Sequence, residues 1–222
     1  MKSIVFAGVL AGTFLGAAVA AQAAVIDFDA ADASAGQTVG FTTYSEDGFT
    51  FGVTTTGAND GAAIFDTTCT GYTSNCNGDR DLVPTSQGLN GVSGNVLILQ
   101  DRRSGKATPN DAARPGSITF ELLSGPAFQL TSFSAVDDGT FTISDAGGVL
   151  ATIALASDNQ TGQASFLSSI INVGDSFTIS YSGSGAVDAL ALMPAPIPLP
   201  AAMPMLALAL GGLVAMRRRA LV

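Results

Sequence analysis

The sequence predicts an all-β protein, a β-sandwich with the jelly roll as its favoured form, between two terminal signals. Two observations predict this fold. Short runs in which apolar residues alternate with Thr or Ser recur along the chain, as at residues 49–53 and 118–122, and this is the pattern of strands with one buried face. No long segment of residues 24–193 repeats its apolar residues at helical spacing.

The N-terminus has the form of a secretory signal peptide. Lys2 precedes an apolar run that ends in an Ala-x-Ala site at residues 21–23, where signal peptidase accepts small side chains. The alternative is an uncleaved membrane anchor, which the small-residue site disfavours. We expect residues 1–23 to be removed, so that the mature chain begins at Ala24 or, as a second choice, at Val25.

About ten short strands are expected in residues 24–193, which we interpret as one domain. The run at 96–99 is apolar at every position, which indicates a central strand buried on both faces. Pairs of turn-forming residues separate the runs. These pairs are Asp47-Gly48, Asn90-Gly91, Asp138-Gly139 and Gly147-Gly148.

Charge and composition restrict the function. All eighteen acidic residues but only five of the nine basic ones lie within residues 24–193, which leaves this part at −13 against −9 for the whole chain. Such a charge repels nucleic acids and anionic membranes. The chain contains no His, which excludes Ser-His-Asp and Cys-His catalysis and His-ligated zinc. We expect no enzymatic activity.

Two cysteines lie close together in the long irregular segment 68–95. Cys69 and Cys76 form an even, local pair in a chain expected to reach an oxidising compartment, which predicts a disulfide. Two free thiols are the alternative. A zinc site would need further soft ligands, which the chain does not offer.

Calcium is the one cofactor that the sequence suggests, as a structural ion. Asp79 and Asp81 alternate with other residues in a polar run around Cys76, an arrangement that can wrap a hard cation, although a polar turn is the more usual explanation. Acids within strand patterns need partners when buried. Asp27 and Asp29 are expected in the first strand and Asp188 in the last, and these two strands can lie side by side.

A second acidic pair, Asp137-Asp138, invites comparison with the two carboxylates of glycoside hydrolases. The pair precedes Gly139, so we interpret it as the cap of a turn. Neighbouring strand residues also point to opposite faces of a sheet, which is unsuitable for paired catalysis.

The C-terminal 194–222 segment has three parts in a fixed order. A short proline motif comes first, then an uncharged stretch at 199–216 that is long enough to span a thin bilayer, and then a basic end that should stay cytoplasmic. The motif is Ile197, Pro198, Leu199, Pro200 and Ala201, and the basic end is Arg217, Arg218 and Arg219.

This order resembles the PEP-CTERM group of bacterial sorting signals, most closely the VPLPA-CTERM variant, from which Ile197 departs because the variant has Val. The resemblance implies a transient inner-membrane anchor, recognition and cleavage by an exosortase-type enzyme, and delivery to the cell surface. The fragments 44–51, 94–100 and 183–190 also loosely resemble uncharacterised domains that often precede such tails, which implies a jelly roll without an established activity.

These features favour a secreted, non-enzymatic protein of the cell surface or extracellular matrix, with signal peptidase and the exosortase-type enzyme as processing partners. The alternative is a carbohydrate-binding module acting on exopolysaccharide. Its stacking residues would be Tyr44, Tyr72 and Tyr181, because the chain has no Trp. A carboxylate-dependent hydrolase is the least favoured of the three.

Overall fold

A computed structural model describes most of the region between the two terminal segments. The described residues are 23–29, 40–57, 59–68, 82, 94–101 and 109–195. The tail motif, the apolar stretch 199–216 and both cysteines lie outside them, as do Tyr72, Asp79 and Asp81. No membrane-crossing helix occurs in the described part of the chain, which contains strands but no helix.

Ten strands form one antiparallel sheet that curls around its core, which confirms the all-β prediction. Their bounds are β1 Ala24–Ile26, β2 Thr43–Glu46, β3 Phe49–Gly57, β4 Asn59–Asp66, β5 Asn95–Asp101, β6 Gly116–Ser124, β7 Phe128–Asp145, β8 Gly148–Ser165, β9 Ser176–Tyr181 and β10 Ala186–Pro194. The main path runs β2-β3-β6-β9-β7-β10-β5-β4, with β1 paired to β10 and β8 paired to β7.

The curl is centred on β7, which changes partner halfway along its 18 residues. Its first part pairs with β10 and its last part, from Phe141, pairs with β9, while β8 follows its other edge. The change coincides with a bulge between Asp137 and Gly139. The prediction of a turn at Asp138-Gly139 was therefore wrong. Asp137 and Gly139 have φ of 78° and 114°, and bulges and turns use the same left-handed conformations.

Five phenylalanines form the centre of the main core. They are Phe49 and Phe51 of β3, Phe120 of β6, Phe128 of β7 and Phe177 of β9, and each is buried. Neighbouring ring centroids lie 5.2–6.5 Å apart in stacked or edge-on contacts, the separations at which aromatic pairs attract. The alternating apolar residues of these strands thus supply one continuous interior.

Strand β5 is buried on both faces, as its uninterrupted apolar sequence predicted. Leu97 and Leu99 belong to the main core. Val96 and Ile98 belong to a second, smaller cluster together with residues of β4 and with Leu82. The strand pairs with β4 along one edge and with β10 at Leu97 and Ile98 on the other, and every residue from Val96 to Gln100 is buried.

The two short hairpin turns agree with the sequence prediction. Asp47 and Gly48, with φ of 49° and 83°, join β2 to β3. Positive φ at both central residues is the type I′ geometry that suits a two-residue hairpin. Residues 146–147 likewise join β7 to β8, with Gly148 opening the second strand. The pair Asn90-Gly91 lies outside the described residues.

Candidate functional site

The first and last strands lie side by side, as the calcium hypothesis required. β1 pairs antiparallel with β10, with Ala24 opposite Leu192. However, β1 ends at Ile26, so Asp27 and Asp29 follow the strand instead of lying within it. The reason is Phe28, which has a φ of 64° and a fully buried ring. The chain bends there to place the ring in the core, and this bend leaves the two carboxylates at the surface.

Glu46, which the sequence analysis did not select, is the central acid at this bend. It is 7% exposed, and its Oε2 accepts hydrogen bonds from the hydroxyl of Tyr44 at 2.7 Å and from the backbone N–H of Phe28 at 3.2 Å. Burial, together with the hydrogen-bonding carboxyl of Asp27, raises the pKa of Glu46 from 4.5 to about 7. At neutral pH Glu46 therefore lies close to a protonation change.

Two more acids border this pair. The Oδ1 of Asp29 accepts a hydrogen bond from Asn95 N at 2.8 Å, which connects the end of β1 to the start of β5. Asp188 lies at a bulge of β10 and accepts a hydrogen bond from Ser134 at 3.2 Å. Partial burial, with the charges of Asp27 and Asp29, raises the pKa of Asp188. We call Asp27, Asp29, Glu46 and Asp188 the carboxylate cluster.

The carboxylate cluster meets only part of the chemical requirement of a calcium site. Calcium takes six to eight oxygen ligands, whereas no three acids of the described residues converge closely enough to hold one ion. One oxygen of Asp29 is already engaged by Asn95 N, and Oδ1 of Asp27 accepts from Asp29 N at 3.1 Å. Any ion here would therefore depend on backbone oxygens and water.

A second pair of acids is buried where β7 bends. Asp137 is fully buried and Asp111 is 8% exposed. The hydroxyl of Ser184 donates to Asp111 and lies 3.4 Å from Oδ2 of Asp137, and the backbone N–H of Gly185 also donates to Asp111. Asp137 is thus not the cap of a turn. These contacts attach the loop before β10 to the bulge of β7.

Gly185 shows how tightly this loop is packed. A Cβ atom at this position would lie 2.6 Å from the ring of Phe141 and 2.7–2.8 Å from the carbonyl oxygens of Val136 and Asp138. Its φ of 109° also favours glycine.

The sequence around Asp111 carries no pattern that marks it as a site residue. Asp111 lies outside the named strands and pairs with Gln100 through an isolated bridge.

The outer surface of β3, β6, β9, β7 and β8 is covered by hydroxyl groups. Two rows of Ser and Thr cross these strands in register. One row is Thr56, Ser117, Ser180, Thr142 and Thr152, and the other is Thr54, Thr119, Thr178 and Ser144. We call these nine residues the hydroxyl face. All nine are partly or fully exposed, and the period-two alternation of Thr and Ser with Phe and Ile is the signal that could have identified them.

A shallow groove of about 300 Å³ borders one end of the hydroxyl face. Gly52 and Glu121, which face each other across β3 and β6, line it together with Thr54 and Ser176. Two of the three tyrosines that the carbohydrate-binding hypothesis required are unavailable. Tyr44 and Tyr181 are 5% and 3% exposed, so neither can stack against a sugar.

Comparison with known proteins adds no family. No protein-family model matches the chain, and no curated protein is significantly similar to it.

Proposed function

We propose that this protein is exported and carried at the cell surface or in the extracellular matrix, in a structural or binding role without catalysis. The signal peptide at 1–23 directs export, and the segment 194–222 anchors the chain in the inner membrane until an exosortase-type enzyme cleaves it. Three features support this proposal: the Ala-x-Ala site, the proline motif with its basic end, and a folded β domain between them.

The observation that carries the proposal is the position of the last strand relative to the motif. β10 ends at Pro194, and the N–H of Ala195 still donates to the carbonyl oxygen of Ala127 at 2.9 Å. Pro196 alone then separates this residue from the motif at 197–201. The motif thus follows the sheet directly, which suits a signal removed from a domain that has already folded.

We also propose that the curled sheet is a β-sandwich of the jelly-roll class. The partner change of β7 supports this, because it divides the strands into a group around β3, β6 and β9 and a group around β10, β5 and β4. Residues of both groups contribute to the main core. An experimental structure with two facing sheets would support the proposal, and a single open sheet would contradict it.

The export proposal is tested with the full-length chain in a bacterium that contains an exosortase-type enzyme. We expect N-terminal sequencing of the exported protein to begin at Ala24, and the product to be shorter than the precursor at its C-terminus. Substituting Pro198 and Pro200 together by Ala should leave an uncleaved, membrane-bound precursor. The matched control, Pro196→Ala, should be processed normally.

Two results would contradict the proposal. An N-terminus at Met1 would exclude cleavage of the signal peptide. Equal processing of the double variant and of the Pro196→Ala control would exclude recognition of the proline motif.

A further inference from the structure

We propose that the hydroxyl face and its groove bind a strand of neutral polysaccharide, with Glu121 orienting one sugar unit. The inference rests on the proposed export only for the availability of the ligand, since a matrix is where such polymers accumulate. The binding itself follows from the geometry of β3, β6 and β9.

The hydroxyl face is regular. Neighbouring strands lie about 4.8 Å apart and alternate residues of one strand about 6.7 Å apart, so the two rows form a lattice of donors and acceptors. Several of these hydroxyls are already paired, Thr56 with Ser117 at 2.6 Å and Thr119 with Thr178 at 2.8 Å. Pairing fixes the side chains before a ligand arrives, which lowers the entropy lost on binding.

Paired hydroxyls still have hydrogen-bonding capacity. Each hydroxyl has one donor and two acceptor positions, and a pair uses one donor and one acceptor between its two members. In the Thr119–Thr178 pair this leaves one proton and three acceptor positions for a ligand. A polymer that is itself covered with hydroxyls can use both kinds of position, whereas an apolar partner can use neither.

The residues that line the groove differ from those of the hydroxyl face. Gly52 has no side chain, and a Cβ there would lie 3.5 Å from both methyl carbons of Leu123. Next to Gly52 the exposed side chain of Leu123 therefore stays uncovered, which offers an apolar surface for the C–H side of a sugar ring. Glu121 is exposed beside it and can accept hydrogen bonds from two adjacent sugar hydroxyls. The volume of about 300 Å³ is at the lower end for small-ligand sites.

The negative charge of the domain selects among polysaccharides. Residues 24–193 carry −13, so an acidic polymer is repelled before contact. Every member of the hydroxyl face is an uncharged Ser or Thr, and Glu121 is the only charged side chain among the described residues that line the groove. The complementary ligand is therefore a neutral chain.

Binding at one sugar should be weak, because aromatic stacking is absent and the groove is shallow. Repeated units along a polymer compensate, since a chain that leaves one site can rebind through the next unit. The experiment therefore uses polymers instead of short oligosaccharides. Purified full-length protein is run in native gels that contain a neutral β-glucan, a neutral galactomannan or anionic alginate.

We expect at least one neutral polymer to retard the protein and alginate not to do so. Gly52→Val fills the groove with a residue that strands favour, and it should weaken retardation at least tenfold. Glu121→Gln should weaken it several-fold. The matched control is Ala154→Val, an exposed position on β8 away from the groove, which should bind as the unmodified protein does. Circular dichroism and thermal unfolding establish that each variant is folded.

Several outcomes would overturn the proposal. These are the absence of retardation by both neutral polymers, stronger retardation by alginate, or equal retardation of the Gly52→Val variant and the unmodified protein. Self-association that Gly52→Val abolishes would assign the face to a second copy of the chain instead. Because the assay needs no export, its failure would leave the proposed localisation standing.

Discussion

Glu46 is the central acid of the carboxylate cluster beside β1, and Asp145 is the acid at the turn of the β7–β8 hairpin. The pKa values of these two acids are shifted in opposite directions. Glu46 is buried next to Asp27, and its pKa is raised to about 7. Asp145 also experiences some burial, but hydrogen bonds from Ser169 and from the N–H of Gly147 outweigh it and lower its pKa below 3.8. Hydrogen-bond donors, rather than position at a strand end, therefore determine whether a carboxyl group is stabilised in its ionised form.

Replacing Glu46 by Gln should give the largest effect. The native protein binds the proton of Glu46 up to about pH 7 and the unfolded chain only up to about 4.5, so the free energy of unfolding falls as the pH rises between these values. A pKa difference of this size corresponds to about 3 kcal/mol. Gln is neutral and keeps an acceptor for Tyr44, so Glu46→Gln should stabilise the protein at pH 8.

Urea unfolding of the full-length protein at pH 4.5 and pH 8 measures this change. The matched control is Glu121→Gln, which removes an exposed carboxylate of the same residue type. A Glu46→Gln variant that keeps the full pH dependence would show that another group is responsible.

Tyr44→Phe removes the hydroxyl that donates to Glu46. It should lower the free energy of unfolding by about 2 kcal/mol at pH 8, because hydrogen bonds to charged groups are the stronger ones. The cost should decrease at pH 5, where Glu46 is protonated. Tyr181→Phe is the control, because the Tyr181 hydroxyl donates to the neutral carbonyl oxygen of Leu97 at 3.2 Å. Equal pH dependence of the two variants in thermal unfolding would refute the assignment.

At the hairpin end we expect the opposite pH response. Asp145→Asn removes the carboxylate that accepts from the N–H and hydroxyl of Ser169, and should cost about 1 kcal/mol at pH 7. The lowered pKa of Asp145 stabilises the protein above 3.8, and this contribution is lost as the pH falls through its folded-state pKa. The variant and the unmodified protein should therefore converge in acid.

A double-mutant cycle with Ser169→Ala tests whether the two residues act together. The double variant should be little less stable than Asp145→Asn alone. Additive losses would mean that the two side chains stabilise the hairpin independently.

Calcium should have the smallest effect, a rise of a degree or two in the unfolding temperature at pH 8, where the carboxylate cluster is most negative. Magnesium should do less because of its stricter octahedral geometry. Asp188→Asn should abolish the shift if the ion binds at the carboxylate cluster, and Asp81→Asn if it binds in the segment 68–95. Identical melting curves in calcium and in chelator would exclude a stabilising calcium site.

Local sequence predicted the fold wherever one signal dominated. The continuous apolar run of β5 required burial on both sides, and Asp47-Gly48 required a tight turn. The continuity of β7 through residues 138–139 was missed because Asp138-Gly139 has the composition of a turn. The distinction between a turn and a bulge depends on the loop at Ser184, which is distant in sequence and invisible to a local pattern.

The candidate site was predicted only in part, for a similar reason. The proximity of the first and last strands was foreseen, and with it the nearness of Asp27 and Asp188. Glu46 was missed, although its spacing of two from Tyr44 places both side chains on one face of β2. Its importance depends on the bend at Phe28, which arises from packing in the core and not from the residues around Glu46.

The position of β10 has a consequence for the order in which the molecule can fold. This strand pairs with β7 on one side and with β5 and β1 on the other, yet it is the last of the described strands in chain order. Within the described part of the chain, β1, β4 and β5 have no ladder that joins them to the other strands until residues 186–194 have been delivered. Closing contacts between such distant segments is slow, because chain entropy opposes it. In a chain that crosses a membrane N-terminus first, β1, β4 and β5 would therefore join the sheet only after β10 had emerged, although β2, β3, β6, β7, β8 and β9 can pair before then.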